Sequence, residues 1–178
     1  DALRVELQQR FARYGNGDAG ADRMTQLAAD TFTAAITAHR NGRGGRYLAG
    51  FYSMTCNHGF GLRTGALPNG RRAGTRLSNG LSPADGVERK GPSAVLRSAA
   101  SLDSRHFGNC VALNLKFEKS MVQGRTGRSA LVSLFQNYFD HGGMQVQVNV
   151  LDAEELRAAK ADPAAHPGLK ETAQEYYL

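Results

Sequence analysis

Met144-Gln145-Val146-Gln147-Val148-Asn149-Val150-Leu151 alternates apolar and amide side chains almost without a break, with Val146, Val148 and Val150 on one side and Gln145, Gln147 and Asn149 on the other. A strict period of two belongs to an extended chain whose successive side chains face opposite ways, so residues 144–151 are predicted to form a β-strand. One face is dressed for packing and the other for hydrogen bonding. Two settings fit that pattern equally well. It suits the wall of a barrel, apolar toward outer helices and polar toward the interior, or an edge strand with one wet face.

Upstream of this strand, Gly142-Gly143 closes a helix predicted over residues 126–140, which places Leu131, Leu134, Phe135 and Tyr138 on one face. Val111-Ala112-Leu113-Asn114-Leu115-Lys116-Phe117 reads as a second strand, and Pro92 suits the first turn of a helix running to about Ser101. Downstream, Asp152 is placed to cap a last helix through about Lys160. Phe51-Tyr52-Ser53-Met54-Thr55-Cys56, bounded by Gly50 and by the turn-forming run after Asn57, is predicted as another strand with Tyr52, Met54 and Cys56 on one side. Two helices precede it. Leu3, Leu7, Phe11 and Tyr14 recur at helical spacing until Asn16-Gly17; Asp22 then stands where an N-cap would, ahead of Met24, Leu27, Ala28, Ala35 and Ile36. The order strand, helix, strand, helix, strand, helix calls for parallel pairing with right-handed crossovers, hence an α/β sheet or part of a barrel.

The 178 residues are 41% hydrophobic and 21% charged, an ordinary globular composition with one domain as the default. No apolar run approaches the roughly 20 residues that cross a bilayer, and a chain that begins at Asp1 reads as a piece of a soluble, cytoplasmic protein without membrane contact. Cys56 and Cys110 have no C-x-x-C spacing and are expected to be buried small residues in a reducing compartment; five scattered histidines show no metal-binding spacing, and no metal site is expected. The net charge of +6 admits a basic module that binds anions or nucleic acid, yet the arginines are spread along the chain and no recognition motif accompanies them, so nucleic acid is not the expected partner.

Residues 59–91 are rich in Gly, Pro, Asn and Ser, and a loop of that length in a compact domain is functional or packed as its own unit. Within it stands Thr64-Gly65-Ala66-Leu67-Pro68-Asn69-Gly70-Arg71-Arg72-Ala73-Gly74, followed by Asn79-Gly80-Leu81-Ser82-Pro83 and Gly91-Pro92-Ser93-Ala94; Arg13-Tyr14-Gly15-Asn16-Gly17-Asp18 and Gly50-Phe51-Tyr52-Ser53 come before it. In this order the chain resembles the C-terminal part of the catalytic barrel of glycyl radical enzymes of the pyruvate formate-lyase-like group. The resemblance implies a partial pyruvate formate-lyase-like domain over 1–178. It has helices over 1–41, a strand, the Gly-rich loop and α/β units over 50–160, and a divergent tail over 170–178, and it belongs to a ten-stranded, mainly parallel α/β barrel with outer helices.

The same resemblance implies radical lyase or dehydratase chemistry on a small organic substrate under anaerobic conditions. It also implies a homodimer at full length, and a protein glycyl radical installed by an S-adenosylmethionine iron-sulfur activating enzyme rather than a cofactor bound to this chain. The family strings that carry the chemistry, Gly-Cys-x-Glu and Arg-Val-x-Gly-Tyr, are absent, so no catalytic residue is expected here and the chain alone is expected to be inactive. By the same resemblance Tyr52 and Met54 would face the substrate, a phenol that donates or accepts a hydrogen bond beside a thioether that shapes an apolar wall; core packing is the competing role for both. Arg71 reads as a partner for a carboxylate or as a solvated surface residue. A non-catalytic partner of a larger barrel chain is the remaining alternative.

Overall fold

The computed structural model describes residues 2–54 and 56–166; Thr55 and the tail over 170–178 lie outside the described residues. Two helices lead the chain, α1 (Ala2–Arg10) and α2 (Ala19–Thr37). The first ends at Arg10 rather than at Tyr14, because the Arg13 side chain turns back and donates to the terminal carbonyls of Leu7 and Gln8, both at 3.4 Å. The cap of the second lies four residues before the predicted one. Asp18, in extended conformation, accepts from the backbone N–H of Gly20 and Ala21 at 3.0 and 2.9 Å, which leaves Asp22 inside the first turn and buried.

The sheet is built around β1 (Asn114–Glu118), which pairs in parallel with β2 (Gln147–Leu151), Asn114 opposite Gln147 and Phe117 opposite Val150. On the other edge of the same extended run, Phe51 forms a parallel bridge to Val111: its N–H donates to Cys110 O at 2.9 Å and its carbonyl accepts from Ala112 N at 3.0 Å. The three predicted strand segments therefore lie side by side, in the order residue 51, residues 111–118, β2, but the sheet itself holds β1 and β2, and residue 51 is joined to it by an isolated bridge. Only two of them are strands. Met54 adopts φ +46°, and Cys56 N–H donates to Ser53 O at 2.8 Å, so the chain coils into α3 (Cys56–Arg63) where a strand had been expected. Residues 144–146 also stand outside β2, because the Gln145 side chain accepts from Leu113 N at 2.9 Å in place of a backbone partner.

Side-chain alternation along β1 sorts its two faces. Leu115 and Phe117 are buried, while Asn114, Lys116 and Glu118 share the opposite face with Gln147 and Asn149 across the register. The apolar face rests on α4 (Pro92–Ala100), which buries Val95, Leu96 and Ala99, and on α6 (Gly124–Asp140), whose Leu134, Phe135 and Tyr138 close over it. Pro92 occupies the first turn of α4 as its fixed φ allows. Between β1 and α6 lies the short α5 (Lys119–Val122); α7 (Ala153–Ala161) follows β2, capped by Asp152 as expected.

Phe107 and Leu113 are the largest side chains buried almost completely, and each contributes about 2–3 kcal/mol by leaving water. Phe107 packs against Phe51 with ring centroids 4.3 Å apart and planes tilted by 54°, and Phe51 in turn meets Phe32 of α2 edge-on at 5.6 Å, so this row of rings ties α2 to the sheet. Both cysteines are exposed, contrary to expectation. Cys110 stands in a left-handed turn at φ +71° that swings its thiol out of the core just before the chain extends.

Candidate functional site

The segment carrying Tyr52 and Met54 is held from one side only. Phe51 is docked on the sheet edge, and Ser53, the next residue of that parity, donates from Oγ to Asn79 Oδ1 at 2.8 Å and accepts from Gly80 N at 3.1 Å. Asn79-Gly80-Leu81-Ser82 then runs along the same edge. Leu81 N–H donates to Ala112 O at 2.8 Å, and Ser82 Oγ accepts from Asn114 N at 2.9 Å. Gly80, at φ +59°, bridges Leu113 so closely that a Cβ would collide with the Ala112 carbonyl, which accounts for the glycine of that motif. Tyr52 and Met54 take the opposite parity and project outward, 46% and 61% exposed. Both are thus off the core. Met54 holds a left-handed backbone that costs a non-glycine residue about 1 kcal/mol or more, and strain of this kind gathers at sites where geometry serves function.

The long Gly-rich loop proves to be a packed unit around Arg71. Its guanidinium donates to Gly61 O at 2.7 Å, Gly65 O at 2.9 Å, Thr64 O at 3.4 Å and Thr75 O. Among the described residues these partners are all backbone carbonyls, not a carboxylate, and it is half-buried: Arg71 gathers the carbonyls at the end of α3 and in the loop beyond. Turn bonds Leu67 N to Arg71 O (3.1 Å) and Gly74 N to Thr64 O (3.2 Å) complete the loop. The motif at residues 13–18 is a clasp of the same kind. Arg13 Nη2 donates to Asn69 O at 2.8 Å, Asn16 Nδ2 to Val87 O at 2.9 Å, and Gly17 N to Ser98 Oγ at 3.0 Å.

Beneath that clasp lies a polar cluster that sequence spacing did not bring together. Asp22 and Ser98 are buried; burial, first, and then the nearby Asp18 raise the Asp22 carboxyl above the ordinary carboxylate range, against the opposing hydrogen bond from Ser98 and the Arg97 charge. Burial, chiefly, and the Asp22 and Tyr138 charges push the Tyr14 phenol well above its usual value. Neither Asp22 Oδ1 nor Tyr14 Oη has a hydrogen-bond partner among the described residues. A cleft of about 920 Å³ opens beside this region, walled by Leu7, Phe11, Met24, Phe51 and Leu81; Tyr52 and Met54 do not line it.

A family model described as glycine radical matches residues 77–170, more than half of the chain, and a second described as pyruvate formate lyase-like matches residues 1–61. The chain belongs to the glycyl radical enzyme family. Among relatives, trans-4-hydroxy-L-proline dehydratase of Clostridioides difficile is 34% identical over 169 residues, covering 95% of this chain and 21% of its own. The solved structure of a B12-independent glycerol dehydratase from Clostridium butyricum superposes with TM-score 0.90 at 33% identity, over 94% of this chain and 21% of that one. A glycyl radical enzyme from Archaeoglobus fulgidus superposes with TM-score 0.85 at 38% identity, over 91% and 21%. These neighbours are glycyl radical enzyme barrels, and the mixed helices and parallel strands of this chain are a part of that α/β architecture. The chain spans about a fifth of the length of the relatives it matches. Among the described residues no helix is long and apolar enough to cross a membrane.

Proposed function

We propose that these 178 residues form the C-terminal part of the barrel of a glycyl radical lyase or dehydratase acting anaerobically on a small organic substrate, and that they perform no radical chemistry alone. The observation that carries this reading is the likeness to dehydratases along nearly the whole chain, at 33–34% identity, combined with the absence of Gly-Cys-x-Glu and Arg-Val-x-Gly-Tyr from the sequence. A glycyl radical has no residue here in its expected context, so on this reading the radical itself does not reside on this chain. The radical, its installation by an S-adenosylmethionine-dependent activating enzyme, and a homodimeric assembly belong to the longer protein.

In that protein Tyr52 and Met54 face the substrate. The Tyr52 hydroxyl orients a polar group of the ligand, and the Met54 thioether lines the wall beside it. Support comes from the rigid seat of Phe51 and Ser53 against the outward placement of their neighbours, and from the strained backbone at Met54. Tyr52→Phe removes one hydroxyl and opens no cavity, so a full-length parent carrying it should keep its thermal stability and lose substrate affinity or turnover about tenfold or more. Unchanged turnover with Tyr52→Phe, alongside unfolding with Tyr52→Ala, would make Tyr52 a packing residue and remove it from the site.

A further inference from the structure

Asn-Gly occurs four times in the chain, at Asn16-Gly17, Asn41-Gly42, Asn69-Gly70 and Asn79-Gly80. In such a pair the glycine backbone nitrogen is free to close on the asparagine Cγ, because no Cβ hinders the conformation that this requires. What separates the four pairs is the state of that nitrogen. Gly17 N donates to Ser98 Oγ at 3.0 Å, Gly70 N to Leu67 O at 3.0 Å, and Gly80 N to Ser53 Oγ at 3.1 Å. Gly42 N has no hydrogen-bond partner among the described residues, and both Asn41 and Gly42 are exposed. A Cβ on Gly42 would meet nothing within 4 Å. At this pair water or hydroxide reaches the amide proton without first breaking an internal bond.

The electrophile is prepared as well. Asn41 Oδ1 accepts from Arg43 N and from Gly45 N, both at 2.9 Å. The ring that the Arg43 bond closes contains Cγ and Gly42 N together, so the two atoms that must join share one small turn. Attack on Cγ drives negative charge onto Oδ1, where these backbone N–H groups already stand, and preorganised donors at a developing oxyanion lower its energy. Arg40, Arg43 and Arg46 add positive charge to the same segment, and the sequence from Asp30 to Asp85 contains no carboxylate between them. Nearby positive charge also favours loss of the amide proton from Gly42 N.

We propose that Asn41 is a self-modification site of this chain, converting without a catalyst to aspartate and isoaspartate. Gly42 N gives its proton to water or hydroxide and bonds to Asn41 Cγ; the Cγ–Nδ2 bond breaks, and Nδ2 takes up a proton and leaves as ammonia. Water then opens the succinimide at either carbonyl. One water is consumed and one ammonia released, with no oxidant, reductant or cofactor. The two products act oppositely on the turn. Aspartate in place of Asn41 keeps the acceptor for Arg43 N and Gly45 N and charges it, which strengthens both bonds. Isoaspartate lengthens the main chain by a methylene, which upsets the register of the Asn41 N to Gly45 O bond and of the bridge between Arg40 and Arg46.

The test incubates the 178-residue chain at mildly alkaline pH, in native buffer and separately in concentrated urea. Conversion at each of the four Asn-Gly pairs is read by peptide mass spectrometry, with enzymatic methylation to mark isoaspartate. In native buffer Asn41 should convert about tenfold faster or more than Asn16, Asn69 and Asn79, whose following amides must each give up a hydrogen bond first. Asn41 should convert at least as fast in native buffer as in urea, since the turn supplies the donors to Oδ1, whereas the other three should speed up in urea. Asn41→Gln should remove the isoaspartate signal from the native chain. Native conversion at Asn41 slower than in urea, equal conversion at any of the other three pairs, or an isoaspartate signal that survives Asn41→Gln would overturn the proposal. No radical enters the assay, so its result is independent of the lyase or dehydratase reading.

Discussion

Replacing Arg71 by Lys keeps the charge and removes the fork. In the structure one guanidinium serves four carbonyls, two of them at 2.7 and 2.9 Å and a third at 3.4 Å. A hydrogen bond from a charged donor is worth about 1.5–3 kcal/mol when well buried, and Arg71 is only half-buried, which scales each of the two firm bonds to about 1 kcal/mol. An ammonium point charge on a longer flexible stem recovers one of these contacts at best. The loop over residues 61–75 should therefore open more easily by about 1–2 kcal/mol, a 5- to 30-fold faster exchange of the Leu67 and Gly74 amide hydrogens, both of which are bonded within the loop. Amide exchange followed by NMR reads this directly, with the amides of Val95 and Leu96 in α4 as an internal standard that should not change. Exchange unaltered in the loop would refute the assignment of Arg71 as the organiser of this segment.

The raised Asp22 carboxyl means that the fold favours its protonated form, so its contribution to stability is present below the ordinary carboxylate value of 3.8 and is lost as pH rises through the higher folded value. Asp22→Asn imitates the protonated acid and keeps an acceptor for Ser98. It should gain on the order of 1 kcal/mol at pH 7 and flatten the decline between pH 4 and 7 in urea titrations, since the opposing loss at the helix N-terminus is about 0.3–1 kcal/mol; a variant less stable at both pH values would sink the idea. Gly17→Ala places a methyl group against the Arg97 guanidinium at a backbone φ of +62°, and should cost about 1–3 kcal/mol in the same titration. A change below about 0.5 kcal/mol would show that the clasp over α4 is not tight.

Periodicity made the centre of the fold legible. The amide-apolar alternation before Leu151, the aliphatic run after Val111 and the single apolar face of α6 each gave an element, although the two strands are shorter than predicted, Asn114–Glu118 and Gln147–Leu151. Pro92 and Asp152 marked helix starts because each satisfies a requirement that lies within a turn of its own position. The misses share a cause in contacts far along the chain. Asp22 has the right chemistry for a cap, but Asp18 wins because the turn at Gly17 is pinned to Ser98, 81 residues away. Residues 51–56 carry β-favouring side chains, yet Asn79 and Gly80 hold Ser53 and the chain turns at Met54 before a strand can extend. Cys110 appears buried by composition and is exposed by a left-handed turn that no local pattern announces. Of the candidate site, the outward parity of Tyr52 and Met54 could be read from alternation. The Ser53–Asn79 anchor could not, although Asn79-Gly80 was already visible as a turn. The family resemblance added the barrel to which these pieces belong; spacing alone left the edge-strand setting equally open.

On the function proposed above, this chain carries barrel architecture without radical chemistry. Electron paramagnetic resonance tests it most directly. The 178-residue chain is incubated anaerobically with a glycyl radical activating enzyme, S-adenosylmethionine and reductant, beside the Clostridioides difficile dehydratase as a positive control under the same conditions. The control should give a glycyl doublet and this chain none; a doublet from this chain would contradict the account.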